Sequence, residues 1–349
     1  MMIVSKTLIC LITYNSINSH SKEIVKEAID SFTSLSKDKE LIVIDNNSND
    51  GIEKVVQGLR FIKNPINIGF SGAANQAALI AKKENFDYVL LVNPDLTISN
   101  ECIDQLIKSS KKEKVFAVTP KIYRTGSENI LDATGMILNS DLRHFDRHSN
   151  QKDSDNFNKE EVVFGGTGAC LLLVVKYFDD LEINTRYEYL LEKICPGISL
   201  IPKLNLFDNA FIAYREDADL AYRAALFGFK TVYEPKANCF HYRAVLPENR
   251  STVSKQINYF SVRNRFLIQT NNFKINHSFI AFIKGVLVRN TLIFFAVLLK
   301  ERSSLKAFKD YFLLLKRSLY RRKIIAKRSV VGSETIIKNF IKIGDRYSK

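Results

Sequence analysis

Three short runs built wholly of apolar residues, LICLI (8–12), LIVI (41–44) and YVLLV (88–92), constrain the fold of this chain more than any other feature. A strand that is apolar at every position is buried on both faces, which is the condition of a parallel sheet covered by helices. Helical apolar spacing over 21–35, 71–85 and 100–111 separates the runs, and a further strand pattern follows at 115–119. This alternation predicts an α/β fold with a central, mostly parallel sheet flanked by helices. Ligands of such sheets sit beyond the carboxyl ends of the strands, so the polar residues after each run are the first candidates for chemistry.

Beyond residue 120 the pattern loosens. Residues 121–161 are polar and charge-rich, with one hairpin signal at 136–138, and strand-like VVF (162–164) and ACLLLVV (169–175) flank a glycine cluster. Residues 182–205 read as an insertion without periodicity. Helical spacing returns over 215–227 and stops at Gly228, a C-cap residue type. The expected organisation is an α/β domain over 1–250, in halves 1–120 and 121–250, and a basic, amphipathic, helical region over 251–349 that associates with a membrane.

The net charge is +14, and the stretch from Lys274 onward holds 18 Lys and Arg against 4 Asp and Glu, so the whole excess lies there. A neutral body with a basic tail points to an acidic partner surface, either an anionic membrane or a nucleic acid. Residues 278–299 are strongly apolar but hold Lys284, Arg289 and Asn290 near their middle. Each central charge costs about 2.5–3.5 kcal/mol in a bilayer core, so an interfacial helix is expected rather than a span. Seven basic residues within 316–328 read as a clamp for anionic lipid headgroups. Five scattered cysteines without a C-x-x-C pair indicate neither a disulfide framework nor a zinc ribbon, and fit a reducing cytosol. The first apolar run lacks a small-residue cleavage site and is read as a strand, not a signal peptide.

At the end of the first run, Thr13, Tyr14 and Asn15 offer backbone amides and an aromatic ring to a ligand, or form a plain strand end with a helix cap. Asp45 ends the second run and can accept from a ring N–H or a ribose hydroxyl, while Asn46 to Gly51, Asn47 included, read as an Asx-rich turn. Asn67, Gly69 and Phe70 form a turn into the helix carrying Asn75, a place for a diphosphate or a ribose. Asn93-Pro94-Asp95 sets one carboxylate at the centre of the edge, and a hard divalent cation binds through one or two carboxylates plus substrate phosphates.

Gly165-Gly166-Thr167-Gly168 fails as a dinucleotide fingerprint, because Leu171 stands where a third glycine is needed and a strand follows instead of a helix. Its glycines suit close approach of backbone to a sugar ring, or a simple turn. Arg215-Glu216-Asp217-Ala218-Asp219 opens a helix with three carboxylates. The helix dipole and an i, i+4 pair with Arg223 account for Asp219. Glu216 and Asp217 stand at the very start, where side chains project toward the open edge and one can act as a general base. His241 closes an apolar run and becomes a metal-ligand candidate in company with Asp95.

Taken in order, LITYNS, ELIVIDNNSNDG, NPINIGFSGAANQA, YVLLVNPDL, GGTGACLLL, FDNAFIAYREDADLAYRAALFGFK and SVRNRFLI resemble glycosyltransferase family 2, in particular its rhamnosyltransferase-like branch, over roughly three quarters of the chain. The resemblance implies a GT-A fold with a nucleotide-binding half at 1–120 and an acceptor half at 121–250. It implies that Thr13, Tyr14, Asn15, Asp45, Asn47, Asn67, Gly69, Phe70, Asn75, Asn93 and Asp95 hold a nucleoside-diphosphate sugar. It further implies that Asp95 and His241 bind a manganese or magnesium ion, that Asp217 is the catalytic base with Glu216 beside it, and that Gly166, Thr167 and Gly168 line the acceptor side.

The expected reaction is inverting transfer of rhamnose or a similar hexose to a hydroxyl of a lipid-linked saccharide in cell-surface polysaccharide synthesis. The enzyme would lie on the cytoplasmic face of the membrane, with no nucleic acid as partner. A deoxythymidine-diphosphate rhamnose donor and a uridine-diphosphate sugar both stay open. Two departures stand out: Asn93 occupies the first position of the family's D-x-D motif, and 182–205 is longer than usual. The competing reading is a nucleic-acid-binding or membrane-scaffold protein driven by its basic tail, without catalysis, which leaves the polar strand ends unexplained. The missing G-x-G-x-x-G argues against a nicotinamide enzyme.

Overall fold

The three apolar runs lie side by side as β1 (Thr7–Thr13), β2 (Lys39–Asp45) and β4 (Tyr88–Val92), with β3 (Arg60–Lys63) outside β2 and all four parallel. The computed structural model describes residues 5–127, 129–243, 255–274, 276, 278–332, 335–336 and 340–342, so the expected boundary at 250 lies outside the described residues. The ten-stranded sheet runs β10-β12-β6-β11-β4-β1-β2-β3, where β6 is Val115–Arg124, β10 Glu161–Val163, β11 Cys170–Val174 and β12 Lys230–His241. Two short strands complete it: β5 (Leu96–Ile98) on β12 and β7 (Leu131–Ala133) on β6. Strand β11 enters antiparallel between β4 and β6, and β12 is parallel to β6, so six of the ten strands share one direction.

Alternate residues of β1 supply opposite faces, as a strand period of two requires: Leu8, Cys10 and Ile12 join one core cluster, Ile9 and Leu11 the other. Short helices α1 (Ser16–His20), α3 (Ile52–Val55) and α6 (Phe178–Leu181) follow strand ends or turns. Helices α2 (Lys22–Thr33) and α5 (Asn100–Ser110) cover one face, and α4 (Gly69–Lys83) and α7 (Glu216–Leu226) cover the other. The expected hairpin is β8 (Met136–Asn139) with β9 (His144–Asp146), and β13 (Ile341–Lys342) pairs parallel to β8.

Helices α8 (Lys255–Asn272) and α10 (Leu305–Arg328) pack over α7, and α9 (Phe279–Lys300) lies against α8, where Arg265 donates to the Gly285 carbonyl. Leu267, Ile268, Phe273, Ala281, Leu314 and Ile325 belong to the same core cluster as Leu8 and Leu220. Helix α9 contains a π-helical stretch over Phe282–Val288 and has a mean hydropathy of 1.9. By length and composition it can cross a membrane, and only 11% of its most apolar window is buried in the protein.

The basic segment 316–328 is not the open clamp that its composition implies. Arg317 and Arg321 have no exposure: Arg317 Nη1 lies 2.7 Å from Asp208 Oδ1, and Arg321 Nε 2.9 Å from Asp208 Oδ2. Arg317 also meets Glu188 at 3.0 Å, and Arg328 donates to the Glu182 carbonyl at 2.9 Å. Helix periodicity explains the split, since positions 317, 321 and 328 fall on one face while Lys316, Lys323 and Lys327 stay exposed. The 182–205 stretch forms the saddle under that face, through short 3₁₀ turns at Glu188–Lys193 and Ile198–Leu200. Burial alone would raise the Asp208 carboxyl; Arg317 and Arg321 more than offset it and hold the group well below the ordinary range. The i, i+4 pair of Asp219 and Arg223 is present at 3.2 Å, buried within the same network instead of lying on the surface.

Candidate functional site

The carboxyl ends of β1, β2, β4 and β12 open on one edge of the sheet. There the Thr13 hydroxyl donates to Asp45 Oδ1 at 2.8 Å and the Ser48 N–H to Asp45 Oδ2 at 2.8 Å, with both Thr13 and Asp45 fully buried. Asn15 sits in the left-handed region at φ 48°, accepts the Asn49 N–H at 3.0 Å and donates its own N–H to Ser48 Oγ at 2.8 Å. Thr13, Asn15 and Asp45 thus join the two strand-end loops. Tyr14, 47% exposed, and Asn47, exposed at φ 64°, are the members of this set open to a ligand.

Asn67 Oδ1 accepts the Gly69 N–H at 2.8 Å and sets the turn into α4. Only glycine fits position 69, because its φ is 72° and a Cβ would fall 2.2 Å from the Ile212 carbonyl oxygen. The half-buried Phe70 ring lies against Gly168, where a Cβ would come 2.9 Å from its Cζ. Asn75 does not reach the edge: it is fully buried, accepting the Phe207 N–H at 2.8 Å and donating to the Phe207 carbonyl at 2.9 Å.

Asp95 is 1% exposed, with Oδ1 3.1 Å from His241 Nε2 and Oδ2 3.3 Å from His20 Nδ1. The half-buried Asn93 holds the register beside it, its N–H donating to the Ala169 carbonyl at 3.0 Å. His241 Nδ1 donates to Asp132 Oδ2 at 2.8 Å, and Asp132 Oδ1 accepts from Arg243 at 2.7 Å. Burial would lower the His241 imidazole, but Asp132 and Asp95 carry it up to about 9. Against its own burial, Asp132 is held down at about 2 by His241 and Arg243. Between two carboxylates the His241 imidazole therefore holds a proton more tightly than a free one does, and a cation on Asp95 would compete with that proton for Nε2. Among the described residues no three His, Cys, Asp or Glu side chains are disposed so that all could hold one metal ion. The donor chemistry of Asp95 and His241 nevertheless fits a divalent cation, and buried Asp95 Oδ2 receives no hydrogen bond among the described residues. His20 and Asp132 escape a reading of the sequence: each stands alone in a polar stretch, and their partners lie 75 and 109 residues away.

The loop before α7 is strained. Ile212, Tyr214 and Arg215 take φ values of 63°, 68° and 73°, and for a β-branched residue this is a genuine outlier. Its carbonyls are clamped from α8: Arg263 Nη2 donates to Ala210 O at 2.6 Å and Phe211 O at 2.8 Å. Asn264 Nδ2 donates to Phe211 O, Ala213 O and Tyr214 O at 2.7–2.9 Å. The loop delivers Asp217 to the glycine turn, where the Gly168 N–H donates to Asp217 Oδ2 at 3.1 Å. That turn is tight, since a Cβ on Gly166 would come within 2.7 Å of Thr119 and 2.6 Å of Leu171, and the half-buried Thr167 lies between the glycines. Burial pushes the Asp217 carboxyl up, with the Gly168 and Ala218 N–H groups pulling against it. A more basic carboxylate at the glycine turn is chemically suited to taking a proton. Glu216 does not share that edge. It is turned inward, 6% exposed, and burial and Asp217 push its carboxyl well above the ordinary range.

Residues 8–181 match the family model described as Glycosyl transferase family 2. The chain belongs to that family. The glycosyltransferase is 23% identical to Rhamnosyltransferase WbbL of Escherichia coli (strain K12), over 76% of this chain and 98% of that one. The crystal structure of GalNAc-T7 with UDP, GalNAc and Mn2+ superimposes with a TM-score of 0.50 at 11% identity, covering 76% of this chain and 51% of the other. The glycosyltransferase thus spans about half the length of GalNAc-T7, and the likeness is one of fold, the GT-A arrangement. The mannosyltransferase PcManGT from Pyrobaculum calidifontis, in complex with GDP-Man and Mn2+, gives 0.48 at 13% identity, covering 94% and 86% of the two chains. The matched family segment holds Asp95 and the glycine turn, whereas Asp217 and His241 lie beyond it.

Proposed function

We propose that this glycosyltransferase moves rhamnose or a similar hexose from a nucleoside-diphosphate sugar to a hydroxyl of a lipid-linked saccharide, with inversion, at the cytoplasmic face of a membrane. The 1–250 domain would carry the site, and 251–349 would bring it to the lipid. The contact of Asp217 with Gly168 supports this reading, because a carboxylate of raised basicity then lies on the glycine turn proposed to receive the acceptor. Asp217 takes the proton of the acceptor hydroxyl as that oxygen bonds to the anomeric carbon. The bond from that carbon to the diphosphate oxygen breaks on the opposite face, and attack opposite the leaving group inverts the centre. Tyr14 and Asn47 receive the base and ribose over the loops that Thr13, Asn15 and Asp45 shape. Asp95 and His241 would hold a manganese or magnesium ion, whose chemistry is to neutralise charge on the departing diphosphate.

The likeness to WbbL supports the rhamnosyl assignment, UDP and Mn2+ in GalNAc-T7 support the donor class and ion, and the exposed apolar α9 supports the membrane. Thermal melting with a panel of sugar nucleotides, with and without manganese, tests the donor, since ligand binding to the native state raises the melting point. Asp217→Asn is expected to lower kcat by about 10²–10⁴-fold, the usual contribution of a general base, with donor affinity unchanged. Retained turnover would reject Asp217 as the base.

A further inference from the structure

Two imidazoles approach Asp95, and only one of them is held through both ring nitrogens. His20 Nδ1 lies 3.3 Å from Asp95 Oδ2, and among the described residues no hydrogen bond fixes its other nitrogen. His241 sets Nε2 3.1 Å from Asp95 Oδ1 and Nδ1 2.8 Å from Asp132 Oδ2. The other Asp132 oxygen accepts from Arg243 at 2.7 Å and from Arg124 Nε at 3.4 Å. With two guanidinium groups beside it, Asp132 is a carboxylate and can only accept, so the proton it shares with His241 belongs to Nδ1.

An irregularity in the sheet makes this contact. Strands β6 and β7 pair Ile122 with Ala133 and Tyr123 with Leu131, so Asp132 is the extra residue of a β-bulge. A bulge interrupts the regular alternation of side chains, and beside a site it re-aims one of them. Strand β12 lies on the other side of β6, with His241 opposite Arg124, and its far edge pairs His241 with Leu96, the neighbour of Asp95. His241 thus stands between the strand that follows Asp95 and the strand pair that carries Asp132. All three side chains are buried, so neither ring nor carboxylates are free to turn in solvent.

We propose that Asp132 is a positioning residue for the cation site: by holding the Nδ1–H of His241 it turns Nε2 toward a divalent cation on Asp95, and so selects His241 over His20 as the nitrogen ligand. A carboxylate behind a ligating imidazole fixes its tautomer and ring plane and raises its strength as a ligand. The inference rests on the reading that Asp95 and His241 hold the ion, and names the residue that makes His241 competent to do so.

Binding of manganese alone to the full chain, followed by the electron paramagnetic resonance of the free ion, tests it through a double-mutant cycle. His241→Gln is expected to weaken manganese binding. Asp132→Asn is expected to weaken it about 10–100-fold, the usual cost of losing such a partner. In the His241→Gln background the same Asp132→Asn change is expected to alter affinity by no more than about twofold, because its effect passes through the imidazole. An equal loss in both backgrounds would overturn the proposal, since it marks Asp132 as a distant negative charge that attracts any cation. Unchanged affinity in Asp132→Asn alone would do the same. Thermal melting of the metal-free proteins shows which variants are folded. Should Asp132→Asn be unfolded, nuclear magnetic resonance of the native chain labelled at its histidine ring nitrogens, with zinc as a diamagnetic stand-in, decides the matter. An Nδ1–H His241 ligating through Nε2 is expected there, and an Nε2–H His241, or ligation by His20 instead, refutes the assignment. Failure of His241→Gln to weaken manganese binding removes the reading of the ion site as well, whereas a loss there with none in Asp132→Asn removes only the role of Asp132.

Discussion

The side-chain amide of Asn264 reaches three carbonyls of the strained loop before Asp217, and Arg263 shares that of Phe211 and takes one more, Ala210. Left-handed backbone at three non-glycine residues costs on the order of 1–3 kcal/mol each, so those donors decide whether Asp217 reaches the glycine turn. Asn264→Ala is therefore expected to lower kcat while leaving donor affinity unchanged, since the residues proposed to hold the donor lie on other loops. It should also lower stability by about 1–3 kcal/mol, the penalty for buried acceptors left unmade. Steady-state kinetics beside urea unfolding separates the two effects, and a fall in stability without a fall in kcat would reduce Asn264 to scaffolding. At this scale the sequence was partly legible. Asp95, Asp217 and His241 stand at strand or helix ends, where sheet topology exposes polar groups, and they can be found one by one. Asn75 looked equally well placed at a helix start, but helix periodicity turned it toward Phe207. His20 and Asp132 acquire meaning only from partners folded beside them.

Among the elements, α10 shows most clearly what composition hides. Seven basic residues look alike in sequence, and a helical turn sorts them into a buried set that holds Asp208 and an exposed set. Removing one partner from a buried pair leaves an uncompensated charge, so Arg321→Met is expected to destabilise the protein by about 3–5 kcal/mol in urea unfolding. The pH dependence follows from Asp208. Its carboxyl lies lower in the folded protein than the unfolded value near 3.9, so its contribution is complete above that value and is lost as pH falls through and below it. Urea midpoints should drop more steeply between pH 5 and 3 in the native protein than in Asp208→Asn; parallel slopes would refute the assignment. The strands of the sheet were readable because burial on both faces leaves runs such as YVLLV. Strand β3, RFIK, is half-exposed at the sheet edge and leaves no such run. The 182–205 saddle was opaque for another reason: it holds α10 partly through backbone carbonyls of Glu182 and Ile183, a role that demands no side-chain pattern.

For the molecule as a whole, the α/β body and the C-terminal helices share one core, so deleting 274–349 is a poor test of membrane attachment. It would strip Leu314 and Ile325 from the core and leave Asp208 buried without its arginines. Leu292, Phe295 and Leu299 of α9 are exposed, so Leu292→Ser/Phe295→Ser/Leu299→Ser removes apolar surface without opening the core. At about 25 cal/mol per Å² of apolar surface, those side chains supply much of any interfacial binding. The triple variant is expected to leave anionic phosphatidylglycerol vesicles in a flotation assay while its melting point stays within a degree or two of the native value; undiminished flotation would show that α9 is not the attachment. The distance along the chain between Asp208 and Arg317 also sets an order of events during synthesis. The two differ by 109 positions, and translation at about 5–20 residues per second separates their appearance by roughly 5–20 s. Until α10 leaves the ribosome, Asp208 is without the two arginines that hold its charge. A nascent chain therefore presents the apolar α9 before the core beneath α10 is closed and Asp208 is neutralised.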